Sequence, residues 1–223
     1  MKRFLFFALM LICISCYAQE KKQLQVGFLV LDRVYNSELM APYDVFHHTI
    51  FHTKPGMKVF TVSLDGKTVT TFEGLRLETD YSIRNAPAID VLVIPSAEHN
   101  MDTDLENDEL KQWVKSTAEK SQYAVTLCDG AFILANTGLL NGKKATTFPS
   151  DVAAFRKLFP KVLTHEDYSF VHDGKFLTSQ GGAKSYDVAM YLVHLIYGEK
   201  VAAGIGRGLV IPWPQPGLKF LKN

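Results

Sequence analysis

Three short and almost wholly apolar runs, "QLQVGFLVL", "IDVLVIP" and "AVTLC", recur along the chain with helical patterns between them. A run of this length without polar alternation has no side to offer to water, so it reads as a strand buried on both faces. The intervening segments fit that demand. "APYDVFHHTIF" is an amphipathic helix, "MKVFTVSLDG" a strand and "TVTTFEGLRLETDYSI" a hairpin, and "DLENDELKQWVKSTAEK" is a second helix. A helix over 131–140, a short strand "KATTF", a helix "SDVAAFRKLF", a hairpin "DYSFVHDGKFLTS" turning at Asp173-Gly174 and a long helix "SYDVAMYLVHLIYG" complete the alternation. The pattern predicts an α/β fold, a mostly parallel sheet with helices on both faces. Ligands in such sheets sit at the carboxyl ends of the strands.

The opening residues have a different logic. Lys2 and Arg3 precede an unbroken apolar run over 4–14, and small and polar residues follow. This is the order of a secretory leader, and the run falls short of the roughly 20 apolar residues a bilayer requires. It predicts cleavage after Ala18 and a single exported domain over 19–223, periplasmic or extracellular. The alternative is lipid attachment at Cys16, which would anchor the chain to a membrane, although Cys13 stands where a lipoprotein signal usually has leucine.

Either route takes two of the 3 cysteines out of the globular part and leaves Cys128 as its sole thiol. One cysteine cannot form an internal disulfide, so it is either reactive or deeply buried. Removing Lys2 and Arg3 also leaves 22 basic against 23 acidic side chains, which gives no reason to invoke nucleic acid. Cys128 sits where the strand 123–127 turns into a helix within two residues. Such a turn forces a strained backbone and directs the side chain outward, as in a nucleophile elbow. The start of a helix would also lower the thiol pKa. The residues alone leave open the plainer reading, a small buried hydrophobe.

Four motifs, "ELMAPYDVF", "VLVIPS", "LCDGAFILANTGLLNGKKATTF" and "DGKFLTSQGGAKSYDVAMYLVHLIYGEKVA", resemble the ThiJ/PfpI branch of the class I glutamine amidotransferase-like superfamily. The resemblance runs from about Gln25 to Ala203 and is nearest to amidase-like domains of some regulators and to isonitrile hydratases. It implies a flavodoxin-like three-layer sandwich, often a homodimer, with Cys128 as nucleophile. It further implies Glu38, four residues before Pro42, as the acid that hydrogen-bonds the sulfur. Ser96 and Ala97 stand where the family usually has a Gly-Gly pair whose amides form part of an oxyanion hole, and the Asp129 amide would be the other donor. Phe148 departs from the pattern, occupying the place of a histidine in members with a Cys-His pair. The segment "SQGGAK" would pack behind the elbow.

Several residues have competing readings. Glu38 could be a protonated donor to the sulfur and a general acid, or could simply cap the first helix. His99, in the loop after the strand ending at Pro95, is a candidate accessory base in place of the missing histidine. His48 and His52, with His47 beside them, lack a third ligand at characteristic spacing, so no metal is expected. No cofactor is expected either. The leading functional reading is a cysteine-dependent hydratase or hydrolase of a small molecule, using Cys128 and Glu38 without histidine. The alternative is a noncatalytic ligand-binding or redox-sensing protein, and glyoxalase-like or deglycase-like chemistry is weakened by Phe148.

Overall fold

The computed structural model describes residues 22–223, so the leader and Cys16 lie outside the described residues. In chain order the strands are β1 (Gln25–Leu29), β2 (Lys58–Ser63), β3 (Val69–Thr70), β4 (Arg76–Leu77), β5 (Tyr81–Ser82) and β6 (Val91–Ile94), followed by β7 (Tyr123–Leu127), β8 (Lys144–Ala145), β9 (Leu163–Thr164), β10 (Phe170–Asp173), β11 (Phe176–Ser179) and β12 (Phe220–Lys222). The helices are α1 (Asn36–His47), α2 (Asp108–Lys120), α3 (Gly130–Asn136), α4 (Val152–Leu158), α5 (Lys184–Tyr197) and α6 (Glu199–Leu209).

The main sheet has the order β12-β10-β11-β7-β6-β1-β2-β5. Its neighbours are parallel except β10 and β11, the hairpin that turns at Gly174 with φ +64°. The three apolar runs supply the centre. Val26 pairs with Val59 on one side and Val91 on the other, Val93 pairs with Val125, and Val26, Val91, Val93 and Val125 are fully buried. One helical layer is α1, α5 and α6; α2 and α3 form the other. This is the α/β sandwich the alternation demands.

A phenylalanine cluster fixes the far end of that second layer. The Phe132 ring of α3 lies 4.9 Å from Phe155 of α4 and 5.9 Å from Phe159, and Phe132 and Phe155 are fully buried. Burying each ring stabilises the fold by roughly 1.5–3 kcal/mol.

Local differences from the sequence expectation have local causes. Helix α3 stops at Asn136, because the chain turns through Gly138 at φ +82° before reaching Leu140. The predicted hairpin forms as β3 and β4, with Val69 opposite Leu77, but Tyr81 then leaves it to join the main sheet. Beyond α5, Gly198 at φ +86° opens a further helix, and β12 returns to pair with β10.

Candidate active site

Cys128 follows the last residue of β7 at φ +52°, a left-handed conformation that costs a side-chain-bearing residue roughly 1–2 kcal/mol. Two glycines let that turn exist. A Cβ on Gly130 would overlap the Ile94 carbonyl oxygen, so only glycine lets α3 begin this close to β6. A Cβ on Gly181 would stand 2.9 Å from the Cys128 Cα and N and would overlap its Cβ. The Cys128 amide donates to the Ser179 carbonyl at 3.0 Å, which ties the elbow to β11. "SQGGAK" therefore packs behind the elbow.

The elbow does not expose its sulfur. Cys128 is buried at 7% exposure, walled by groups from four other segments. Glu38, on α1, is also buried; Pro42 has no N–H to donate to the Glu38 carbonyl one turn back. The Glu38 carboxyl accepts from the Gly182 amide at 2.7 Å and from the Ser37 hydroxyl at 2.9 Å. It thus binds the loop behind the elbow, and the hydrogen bond to sulfur that the resemblance implies is not formed. The thiol instead donates to Asp129 Oδ2 at 3.7 Å.

These surroundings reverse the expected direction of the thiol pKa. Burial pushes it up first, and the negative charges of Asp129 and Glu38 push it further. The Ser96 hydroxyl and the Asp129 amide favour the thiolate without offsetting those effects. Helix α3 has only seven residues, so its dipole is a weak opponent to burial. Asp129 is itself raised, to about 6, by burial and by the Asp151 charge, against hydrogen bonds from Thr147 and Cys128.

The oxyanion donors are fewer than the sequence suggests. The Ala97 amide donates to Asn100 Oδ1 at 2.9 Å, which removes it from the donor set. The Ser96 and Asp129 amides make no backbone hydrogen bond among the described residues. Ser96 is fully buried, and its hydroxyl is set against the Cys128 sulfur. His99 shares the Ser96 loop but is half exposed, its ring turned to Asp102 at 3.2 Å and Glu98 at 3.9 Å. None of these contacts links the His99 ring to Cys128. His48 bonds the Asp44 carbonyl at 2.8 Å, and the His52 ring lies under Gly204 of α6; among the described residues no group of three potential ligands could hold a metal.

Three groups around the elbow carry no sequence signature. Thr147 bonds both the Cys128 carbonyl, at 3.1 Å, and Asp129 Oδ1, at 3.0 Å. Asp151 brings a second carboxyl within hydrogen-bonding reach of Asp129. Tyr35 precedes α1, and its phenol pKa is pushed up by burial and then by Cys128, Glu98, Asp129 and Glu38. Its ring lies 4.6 Å from Phe72, over which the Arg33 guanidinium sits at 4.9 Å while pairing with Glu98 at 2.7 Å. Phe148, beside Thr147, is 41% exposed.

A parallel sheet with a cysteine on a left-handed strand-to-helix turn at a carboxyl end defines an α/β protein of the nucleophile-elbow class. Comparison with known proteins narrows this. Residues 24–195 match the DJ-1/PfpI family, and the chain belongs to it. The isonitrile hydratase of Pseudomonas putida is 29% identical over 181 residues, covering 80% of this chain and 75% of the hydratase. The HTH-type transcriptional regulator GbdR of Pseudomonas aeruginosa is 24% identical over 84% of this chain, which spans half of the regulator's length. A crystal structure of a ThiJ/PfpI family protein from Pseudomonas syringae superposes with a TM-score of 0.77 at 22% identity, covering 88% of this chain and 78% of that one.

Proposed function

We propose that this protein is a cysteine-dependent hydratase of small molecules, with isonitriles as the first substrate class to test. The observation that carries the reading is a lone thiol at a strained elbow, flanked by two carboxyl groups, in a chain 29% identical to an isonitrile hydratase. In this reading the Cys128 sulfur attacks the terminal isonitrile carbon. A sulfur–carbon bond forms, a carbon–nitrogen π pair moves onto nitrogen, and the lone pair that the carbon already carried takes the thiol proton, passed through a carboxylate, to give a thioimidate. Water then adds to the carbon, nitrogen takes a proton, and the carbon–sulfur bond breaks to release a formamide and the thiol. The Ser96 and Asp129 amides face the developing negative charge. Neither histidine nor metal is required.

A second reading is a ligand-binding member of the family, favoured by the raised thiol pKa and by kinship to a transcriptional regulator that has further sequence outside the match. Glyoxalase-like chemistry has less support, because Phe148 cannot accept a proton. Turnover of alkyl isonitriles, amides and 2-oxoaldehydes, each compared with Cys128→Ala, separates the three. Formamide production that vanishes in Cys128→Ala supports the hydratase; binding without turnover supports the second reading. We further propose that the mature chain is exported and acts as a homodimer. Loss of residues 1–18 in the intact mass of the native product, and the dimer mass in solution, test those two points.

A further inference from the structure

The parallel register of β6 and β7 carries one more polar side chain to the elbow. Ile94 pairs with Thr126, so two residues beyond each partner the chain reaches Ser96 on one side and Cys128 on the other. The two segments stay in contact past the strands: a Cβ at Gly130 would overlap the Ile94 carbonyl oxygen and stand 3.2 Å from that of Pro95. The Ser96 loop is also tied down on its far side. The Ser96 carbonyl accepts from the Tyr35 amide at 3.0 Å, and Val34 forms an antiparallel bridge with Ala97. Fully buried Asn100 accepts from the Ala97 amide at 2.9 Å and donates to Asp104 at 2.9 Å. None of these bonds uses the Ser96 hydroxyl.

That hydroxyl is fully buried and bonds no nitrogen or oxygen among the described residues. A hydroxyl in this position has given up its hydration without a protein oxygen or nitrogen in return, an arrangement that calls for a chemical reason. The polar group set against it is the Cys128 sulfur. Glu38, which the resemblance makes the donor to that sulfur, is held by the Gly182 amide and the Ser37 hydroxyl instead. We infer that Ser96, through its hydroxyl, is a further catalytic residue: it fills the donor's place that Glu38 leaves and holds the negative charge Cys128 acquires when its proton leaves. The proton goes to Asp129 Oδ2, which faces the thiol at 3.7 Å. There the S–H bond breaks and an O–H bond forms, while Ser96 keeps its own proton and donates to the electron pair left on sulfur. The charged groups acting on the sulfur, Asp129 and Glu38, are both acidic, so a neutral donor is the means of favouring the thiolate. A loop fixed on both sides presents that donor without reorganisation as the charge develops. The inference deepens the hydratase reading and rests on it for turnover; the action of the hydroxyl on the thiol does not depend on the substrate.

The test is the rate of iodoacetamide alkylation at about pH 8, followed on the Cys128 peptide, in the wild-type protein and in Ser96→Ala. The thiolate is the reacting form. Removing the oxygen widens the site, so access alone would speed the reaction, whereas loss of the donor slows it. The two causes therefore have opposite signs. The expected result is a rate lower by about tenfold, the effect of one pKa unit on a mostly protonated thiol. Ser96→Gly, which also lacks the hydroxyl, should be slowed in the same direction, so the result does not hang on one variant. Urea unfolding should find Ser96→Ala at least as stable as the wild type, because the hydroxyl ties no other part of the fold. An alkylation rate in Ser96→Ala equal to or above the wild-type rate, or a loss of stability without a loss of rate, overturns the inference. No isonitrile enters these assays, so a slowed Ser96→Ala beside a wild type that hydrates no isonitrile would sink the hydratase reading and leave the role of the hydroxyl standing.

Discussion

Replacing Gly181 with alanine tests whether the segment behind the elbow sets the elbow's geometry. Gly181 has φ +81°, so any side chain there incurs the left-handed cost of roughly 1–2 kcal/mol. The new Cβ would also stand 2.9 Å from the Cys128 Cα and N and closer still to its Cβ. These are backbone and Cβ atoms, with no flexible tip to move aside, so overpacking adds about 1–3 kcal/mol. Gly182 is the matched control: its φ is +53°, and a Cβ there meets nothing within 4 Å, so only the conformational cost applies. Alanine at 182 also keeps the amide that donates to Glu38. Urea unfolding by linear extrapolation should therefore find Gly181→Ala less stable than Gly182→Ala by about 1–3 kcal/mol, with equal slopes. The corresponding difference in Tm is roughly 2–12 °C for a chain of this size. Equal stability in the two variants would refute the claim that Gly181 presses on Cys128.

Two further predictions concern charge. Iodoacetamide should alkylate wild-type Cys128 more slowly at about pH 8 than an unhindered thiol, and both Asp129→Asn and Glu38→Gln should accelerate it several-fold by removing a negative charge near the sulfur; a rate unaffected by either change would remove those carboxyls from the electrostatics of the site. Asp129 titrates at about 6 in the fold against about 3.9 unfolded, so the folded chain binds this proton more tightly. That contribution is complete below about pH 3.9 and is lost as pH rises through about 6, so stability should shift toward Asp129→Asn by on the order of 2 kcal/mol between about pH 4 and pH 7. Denaturation midpoints of the two proteins that keep a constant difference across that range would contradict it.

The elbow was legible because it is written locally: an apolar strand, Cys128, and a glycine two residues on are contiguous, and strand burial alone decides the sheet. The setting of Asp129 was not. Asp129 is held by Thr147, 18 residues on, and an aspartate before a helix ordinarily reads as a cap. The burial of the sulfur was hidden for a similar reason, since its walls come from α1, the Ser96 loop, the Thr147 segment and the Gly181 turn. Side-chain claims on backbone donors also escape a sequence reading. Ala97 carries an amide like any other residue, and only the fold sends Asn100 back to occupy it. His99 shows the converse, a residue in the right loop whose ring is held by Asp102 away from the sulfur.

The account's central claim is that Cys128 forms the bond to substrate. Intact-protein mass spectrometry of the domain, quenched with acid soon after mixing with an alkyl isonitrile, tests it most directly. The thioimidate step adds the whole isonitrile and expels nothing, so the predicted product is a species heavier by the full isonitrile mass. Peptide mapping should place the addition on Cys128, and it should be absent from a folded Cys128→Ala protein. Formamide release by Cys128→Ala at the wild-type rate, or an adduct mapped to any other residue, would contradict the claim.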